Sequence, residues 1–157
     1  TAYFLIRRGA ARLVDMVVDG CGAPLRRAAE LFGERLKGLR REGVVVDAIP
    51  DERWCEFFRE AARSAVIWQA WDVVVRAMAE RPGVPVAALL AEKRLGCAPD
   101  GWEEIPVAAL AAARARAHRH DTGLLARLAM GIAMGDLRGR VPAERVAGAI
   151  RTEMAGR

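Results

Sequence analysis

The chain predicts an all-α fold: an N-terminal helical hairpin arm, then a helical bundle around one long central helix. Three observations lead there. Apolar residues recur at spacings of three and four through successive segments, as in helices that bury one face. Pro and Gly punctuate those segments, at Gly20-Cys21-Gly22-Ala23-Pro24, at Pro82-Gly83 and at Pro99-Asp100-Gly101. Val44-Val45-Val46 is the strand-like run that breaks the helical pattern, and no second such run exists to pair with it.

In chain order, Tyr3–Val18 reads as the first helix. Arg8, Arg12, Asp15 and Asp19 form a narrow polar stripe on it, and the rest is apolar nearly all round. Such a helix needs cover on most faces, from its own domain or from a neighbouring subunit. Two glycines leave it and Pro24 enters the next. Pro24–Glu42 is the second helix, with Leu25, Ala29, Phe32, Leu36 and Leu39 on one face. Arg26, Arg27, Lys37, Arg40 and Arg41 lie roughly opposite, where Arg26–Glu30 and Glu34–Lys37 are spaced to pair. That basic face reads either as a phosphate-facing surface or as a solvated, salt-bridged one. Gly43–Pro50 is an extended connector. The domain boundary is placed there, with residues 1–49 as a basic helix-turn-helix arm and residues 50–157 as the bundle.

The central helix is read from Asp51 to Arg81. Trp54, Phe57/Phe58, Ala61, Ala65, Trp68, Trp71, Val75 and Met78 follow helical spacing, and three of the four tryptophans are here. Pro50 forces Ile49 towards extended geometry, so Asp51 is the expected N-cap, with Glu52 in the first turn. Pro82-Gly83 ends the helix. At about 1.5 Å per residue it would span roughly 45 Å. Val73-Val74-Val75 covers three directions at once, which requires neighbours all round. Pro85 opens a short helix to Leu95, stopped by Gly96, and residues 97–105 form a loop. Pro106 opens a helix at Val107–His120, whose Ala108–Ala113 run has little bulk and lets another helix approach. Asp121-Thr122 caps a helix at Gly123–Gly135, and the Gly131–Gly135 spacing is that of close helix packing. Asp136–Val141 is a basic link, and Pro142 starts a last helix to about Met154.

Composition narrows the class. The apolar fraction of 53% can build a core. Asn is absent, Gln and Ser occur once each, and 23 Arg stand beside two Lys. Missing thermolabile amides fit a hot-adapted, hyperthermophile-like protein; the base composition of a GC-rich genome is the competing account. Cys21, Cys55 and Cys97 are an odd number at no metal-like spacing, and read as buried, inert thiols. Tyr3–Ile6 is too short for a signal peptide, and no stretch reaches the ~20 apolar residues of a membrane span. The net charge of +5 is uneven: residues 1–43 carry +4, residues 44–113 carry −4 and residues 114–157 carry +5. Basic ends around an acidic middle point to self-association or to an anionic partner.

Catalytic chemistry finds little support. His118 and His120 are two apart on a helix and point to different sides, with Arg119 between them to repel a cation. Glu103-Glu104 and Asp51-Glu52 are adjacent acids without a partner in the sequence. No nucleophile elbow or phosphate-loop spacing accompanies the cysteines or glycines. The aromatic side chains of the central helix stand at core spacing rather than as a base-stacking platform. No helix carries the polar face of a sequence reader. The chain is therefore expected to be no enzyme, with no metal and no cofactor. Any nucleic acid would be gripped by its backbone.

The arm at Tyr3–Glu42, the bundle at Asp51–Met154, the size and the hot-adapted composition resemble the α-helical major capsid proteins of filamentous and rod-shaped archaeal viruses. The resemblance implies a structural capsid subunit of a virion. Many copies assemble helically around double-stranded DNA, often with a related second subunit and in some members inside a lipid envelope. The DNA-binding candidates are Arg7, Arg8, Arg12, Arg26, Arg27, Arg35, Lys37, Arg40 and Arg41, then Arg114, Arg116 and Arg119. The alternative is a cytosolic helical-bundle interaction or regulatory protein that homo-oligomerises without nucleic acid.

Overall fold

The computed structural model describes residues 10–117 and 121–156, and these are all-α with no strand among them. They form two compact units that divide between Gly96 and Cys97.

The first unit contains α1 (Ala10–Cys21), α2 (Leu25–Glu30), a π turn (Leu31–Arg35), α3 (Leu36–Arg41), α4 (Asp51–Arg63), α5 (Trp71–Glu80) and α6 (Val86–Glu92). Val14 and Val17 of α1 and Ala28, Leu31, Phe32, Leu36 and Leu39 of the second helical segment share one core with α4, α5 and α6. The expected boundary at 49/50 and the separate arm are thereby corrected. The apolar face of the first two helical segments is covered by Trp54, Phe57 and Phe58, so residues on both sides of Pro50 belong to one hydrophobic core. Residues 1–9, where the expected first helix begins, lie outside the described residues. The face expected for the second helix shifts too. Ala28 and Leu31 go inside, whereas Leu25, the first residue of α2, is 63% exposed.

The single helix expected at Asp51–Arg81 is two helices. α4 stops at Arg63, and Ala65 takes a left-handed φ of 49°. The amide of Val66 then donates to Ala61 O (2.9 Å) and that of Ala65 to Ala62 O (3.2 Å), which satisfies the last carbonyls of α4. The helical spacing is continuous across the break, so periodicity did not show it. Val66 is buried, and its carbonyl accepts the indole N–H of Trp71 (3.3 Å). A short 3₁₀ turn at Trp68–Ala70 leads into α5. Val74 and Val75 are buried while Val73 is 43% exposed, so this helix is not surrounded on all sides within its unit. The core is aromatic. Phe32 meets Trp54 edge-on at 5.1 Å, and Trp71 meets Phe57 at 5.0 Å and Phe58 at 5.4 Å in the same manner. Each such pair contributes about 0.5–1.5 kcal/mol beyond its burial.

The expected Asp51 cap is also displaced. Pro50 holds the N-cap position, and Asp51 is the first helical residue. The connector before it is not wholly extended, since Val46–Ala48 makes a 3₁₀ turn.

The second unit is a three-helix arrangement of α7 (Glu104–Arg116), α8 (Thr122–Leu137) and α9 (Ala143–Ala155). Its core is small-sided: Ala109, Leu110 and Ala113 of α7 with Leu125, Ala129, Ala133 and Leu137 of α8, closed by Val146 and Ile150 of α9. Pro106 falls within the first turn of α7 rather than before it, where its missing N–H has no helical acceptor to lose. The close-packing expectation holds for the alanine run of α7. It fails for Gly131 and Gly135, which are exposed, with nothing within 4 Å of an added Cβ. Ala129 and Ala133 make the close contact instead. Asp121 caps α8 as expected, its Oδ1 accepting from the Leu124 N–H at 2.7 Å.

Candidate nucleic-acid interface

In the first unit the candidate arginines are largely spent on neighbouring acids. Arg12 of α1 pairs with Asp51 at the start of α4 (2.5 Å). Arg26 and Arg27 both reach Glu30 at 3.0 Å. Arg35 reaches Asp72 of α5 at 2.7 Å. Arg40 grips Asp47 with two nitrogens, at 2.6 and 3.1 Å. Lys37 is half-buried on the same segment as Arg35 and Arg40. Arg41 is exposed and makes no ion pair among the described residues. Arg7, Arg8 and Arg119 lie outside the described residues, as do His118 and His120.

Two guanidinium groups also close over one ring. Those of Arg27 and Arg35 lie 4.6 and 4.0 Å from the Trp68 ring centroid, and Trp71 meets the same ring at 4.6 Å. Trp68 is therefore covered by side chains of its own unit, not held open for stacking on a base. A further arginine is structural. Arg53 reaches Glu56 and the carbonyl of Val84, while Glu56 Oε1 accepts the Val86 N–H at 2.6 Å at the start of α6.

Charge pairing leaves its mark on titration. The hydrogen bond from Arg26, backed by both guanidinium charges, lowers the Glu30 carboxyl below its ordinary range. Arg81 does the same to Glu92 through a two-nitrogen contact at 2.7 and 3.1 Å, and is itself raised by Glu92.

The second unit is different. Among the described residues, Arg114, Arg116, Arg127, Arg138, Arg140, Arg145 and Arg151 make no ion pair with an acid. Arg114 and Arg116 stand in the last turn of α7, beside free carbonyls that favour cations. Arg127 and Arg138 are eleven residues apart, so they lie on one side of α8 about 16 Å from each other. Between them the exposed Gly131 and Gly135 leave the helix backbone uncovered. Arg140 donates to the Cys97 carbonyl (3.2 Å), and the Arg145 guanidinium lies 4.9 Å from the centroid of the buried Trp102 ring.

Sequence reasoning missed Arg127, Arg138, Arg140, Arg145 and Arg151 because it followed local density of charge. Only for Arg127 is there a local signal, since no acid lies within four residues of it; Asp136, Glu144 and Glu153 stand close in sequence to the other four without pairing with them among the described residues. The long-range partners Asp51 and Asp72 leave no local trace. Among the described residues no cluster of three potential metal ligands occurs, and no helix is long and apolar enough to cross a membrane. Compared with protein families, curated proteins and solved structures, the chain has no significant match.

Proposed function

We propose that the chain is a structural nucleoprotein subunit that binds double-stranded DNA through sequence-independent Arg–phosphate contacts. Helical assembly into a virion capsid is the fuller form of this reading, with a related second subunit or a lipid envelope as further partners. The observation that carries it is the set of second-unit arginines that make no ion pair with an acid among the described residues, Arg114, Arg116, Arg127, Arg138 and Arg151. A guanidinium already paired must exchange a carboxylate for a phosphate, and exposed pairs are worth about 0–1 kcal/mol. That exchange gains little, so the unpaired arginines contribute first. Arg26, Arg27, Arg35 and Arg40 move to a secondary role, and Arg7, Arg8 and Arg119 stay in the candidate set.

A second reading has its own support. The paired surface of the first unit is what a salt-bridged, DNA-indifferent protein would carry. Leu25 and Val45, exposed at 63% and 65%, are apolar side chains that contact with other copies would cover.

Fluorescence anisotropy on an unrelated-sequence duplex at stepped salt, with electron micrographs of the mixture, separates the two. The nucleoprotein reading expects binding that weakens with a log–log slope of about −0.9 per neutralised phosphate, and DNA-dependent filaments. The double change Arg114→Ala/Arg116→Ala weakens binding more than Arg26→Ala/Arg27→Ala. Indifference to duplex DNA at low salt, with a DNA-free oligomer by light scattering, selects the second reading.

A further inference from the structure

We propose that Cys21 and Cys55 form a dithiol site that closes into an intramolecular disulfide by exchange with a low-molecular-weight disulfide. The proposal is independent of any nucleic acid. Cys21 is the last residue of α1, and Cys55 lies on α4, the helix that α1 packs against. The Cys55 Sγ is 3.8 Å from the Met16 carbonyl and 3.8 Å from where a Cβ on Gly20 would sit. It therefore points into the last turn of α1. The Cys21 Sγ donates to Val17 O at 2.9 Å, which holds it against that same turn. Arg59, one turn beyond Cys55 on α4, donates to the Gly20 carbonyl at 3.1 Å and clips the two helices together at this level. Neither thiol is fully buried. Burial, with the Cys55 thiol beside it, pushes the Cys21 thiol up to about 11, while the Arg59 charge opposes. This contrasts with the expectation of inert thiols: two of the three cysteines are neighbours, and the third, Cys97, is exposed.

The chemistry balances as two exchanges. One cysteine, as thiolate, attacks a sulfur of the small disulfide, giving a mixed disulfide and releasing one small thiolate. The other cysteine loses its proton and attacks the protein sulfur of that mixed disulfide, forming the Cys21–Cys55 bond and releasing the second small thiolate. The two protein thiols have then lost two protons and two electrons, and the small disulfide has become two thiols. The new bond ties α1 to α4 across the segment that carries α2, the π turn and α3, which restricts the unfolded chain.

The test uses the full chain with Cys97→Ser, to remove the exposed thiol, incubated with oxidised glutathione. A tryptic digest is expected to yield Leu13–Arg26 joined to Trp54–Arg59, two hydrogens lighter than the separate peptides. The thermal midpoint is expected to rise by on the order of 10 °C and to return on adding a reductant. With Cys21→Ser or Cys55→Ser added, oxidant leaves the midpoint where it was. Separate glutathione adducts at the two positions without a joined peptide overturn the proposal. So does an equal rise in the Cys55→Ser variant.

Discussion

The unit that ends at Gly96 centres on rings, and the unit that begins at Cys97 centres on methyl groups. Trp54, Phe57, Phe58 and Trp71 fill the first, while Ala109, Ala113, Ala129 and Ala133 let helices approach in the second. The surfaces differ in a matching way. Arg12, Arg26, Arg35, Arg40, Arg76 and Arg81 of the first unit all hold carboxylates, whereas the second unit's described arginines hold none. In the first unit long arginines reach from one element to another, to Asp51, Asp72 and Glu42. Similar overall composition can thus leave one surface internally neutralised and another available to anions.

The contrast is sharpest for core substitutions. Phe57→Ala is expected to destabilise the first unit by about 3–5 kcal/mol. Differential scanning calorimetry should show that loss in the transition of residues up to Gly96; an unchanged thermogram would remove the ring core from its central place. Ala133→Leu is expected to cost about 1–3 kcal/mol by overpacking the α7–α8 contact. Equal tolerance of Ala133→Leu and Gly131→Leu in chemical denaturation would contradict the assignment of Ala133, rather than Gly131, to the close approach. Asp121→Ala should cost about 1 kcal/mol, the usual worth of an N-cap, measured as a lowered denaturation midpoint with unchanged slope.

The smallest effect is the response to acid. Glu30 and Glu92 have lowered pKa values in the folded state, so each contributes stability above its ordinary carboxylate range. That contribution fades as pH falls through the lower folded values. Glu30→Gln and Glu92→Gln should therefore flatten the acid limb of stability against pH for the first unit. An acid limb of unchanged steepness in both variants would show that these pairs carry none of it.

Much of this architecture was legible in the residues. Helical spacing located the segments, Pro24, Pro85 and Pro142 marked their starts, and Asp121 announced its cap. The break at Ala65 was hidden because alanine is a strong helix former, and nothing local shows that tertiary packing turns it to a positive φ. The division at Gly96 was hidden because Pro50 interrupts the chain without interrupting the core. For the candidate interface, Arg114 and Arg116 were visible as cations without nearby acids. Arg35 and Arg40 were misjudged because Asp72 lies 37 residues from Arg35, and Asp47 is seven from Arg40, beyond the helix that carries it.

The ion pairs have a kinetic side. Arg12–Asp51, Arg35–Asp72 and Arg76–Glu42 join residues 39, 37 and 34 apart. α7, α8 and α9 meet their sequence neighbours through short links. Distant contacts close slowly and local ones quickly, so the three-helix unit is the faster folder. Yet the slower unit leaves the ribosome first. At about 5–20 residues per second, synthesis of the later unit gives the earlier one a lead of several seconds. That lead exceeds the microseconds to milliseconds that small helical folders need, so the earlier core is complete before the later unit has been made.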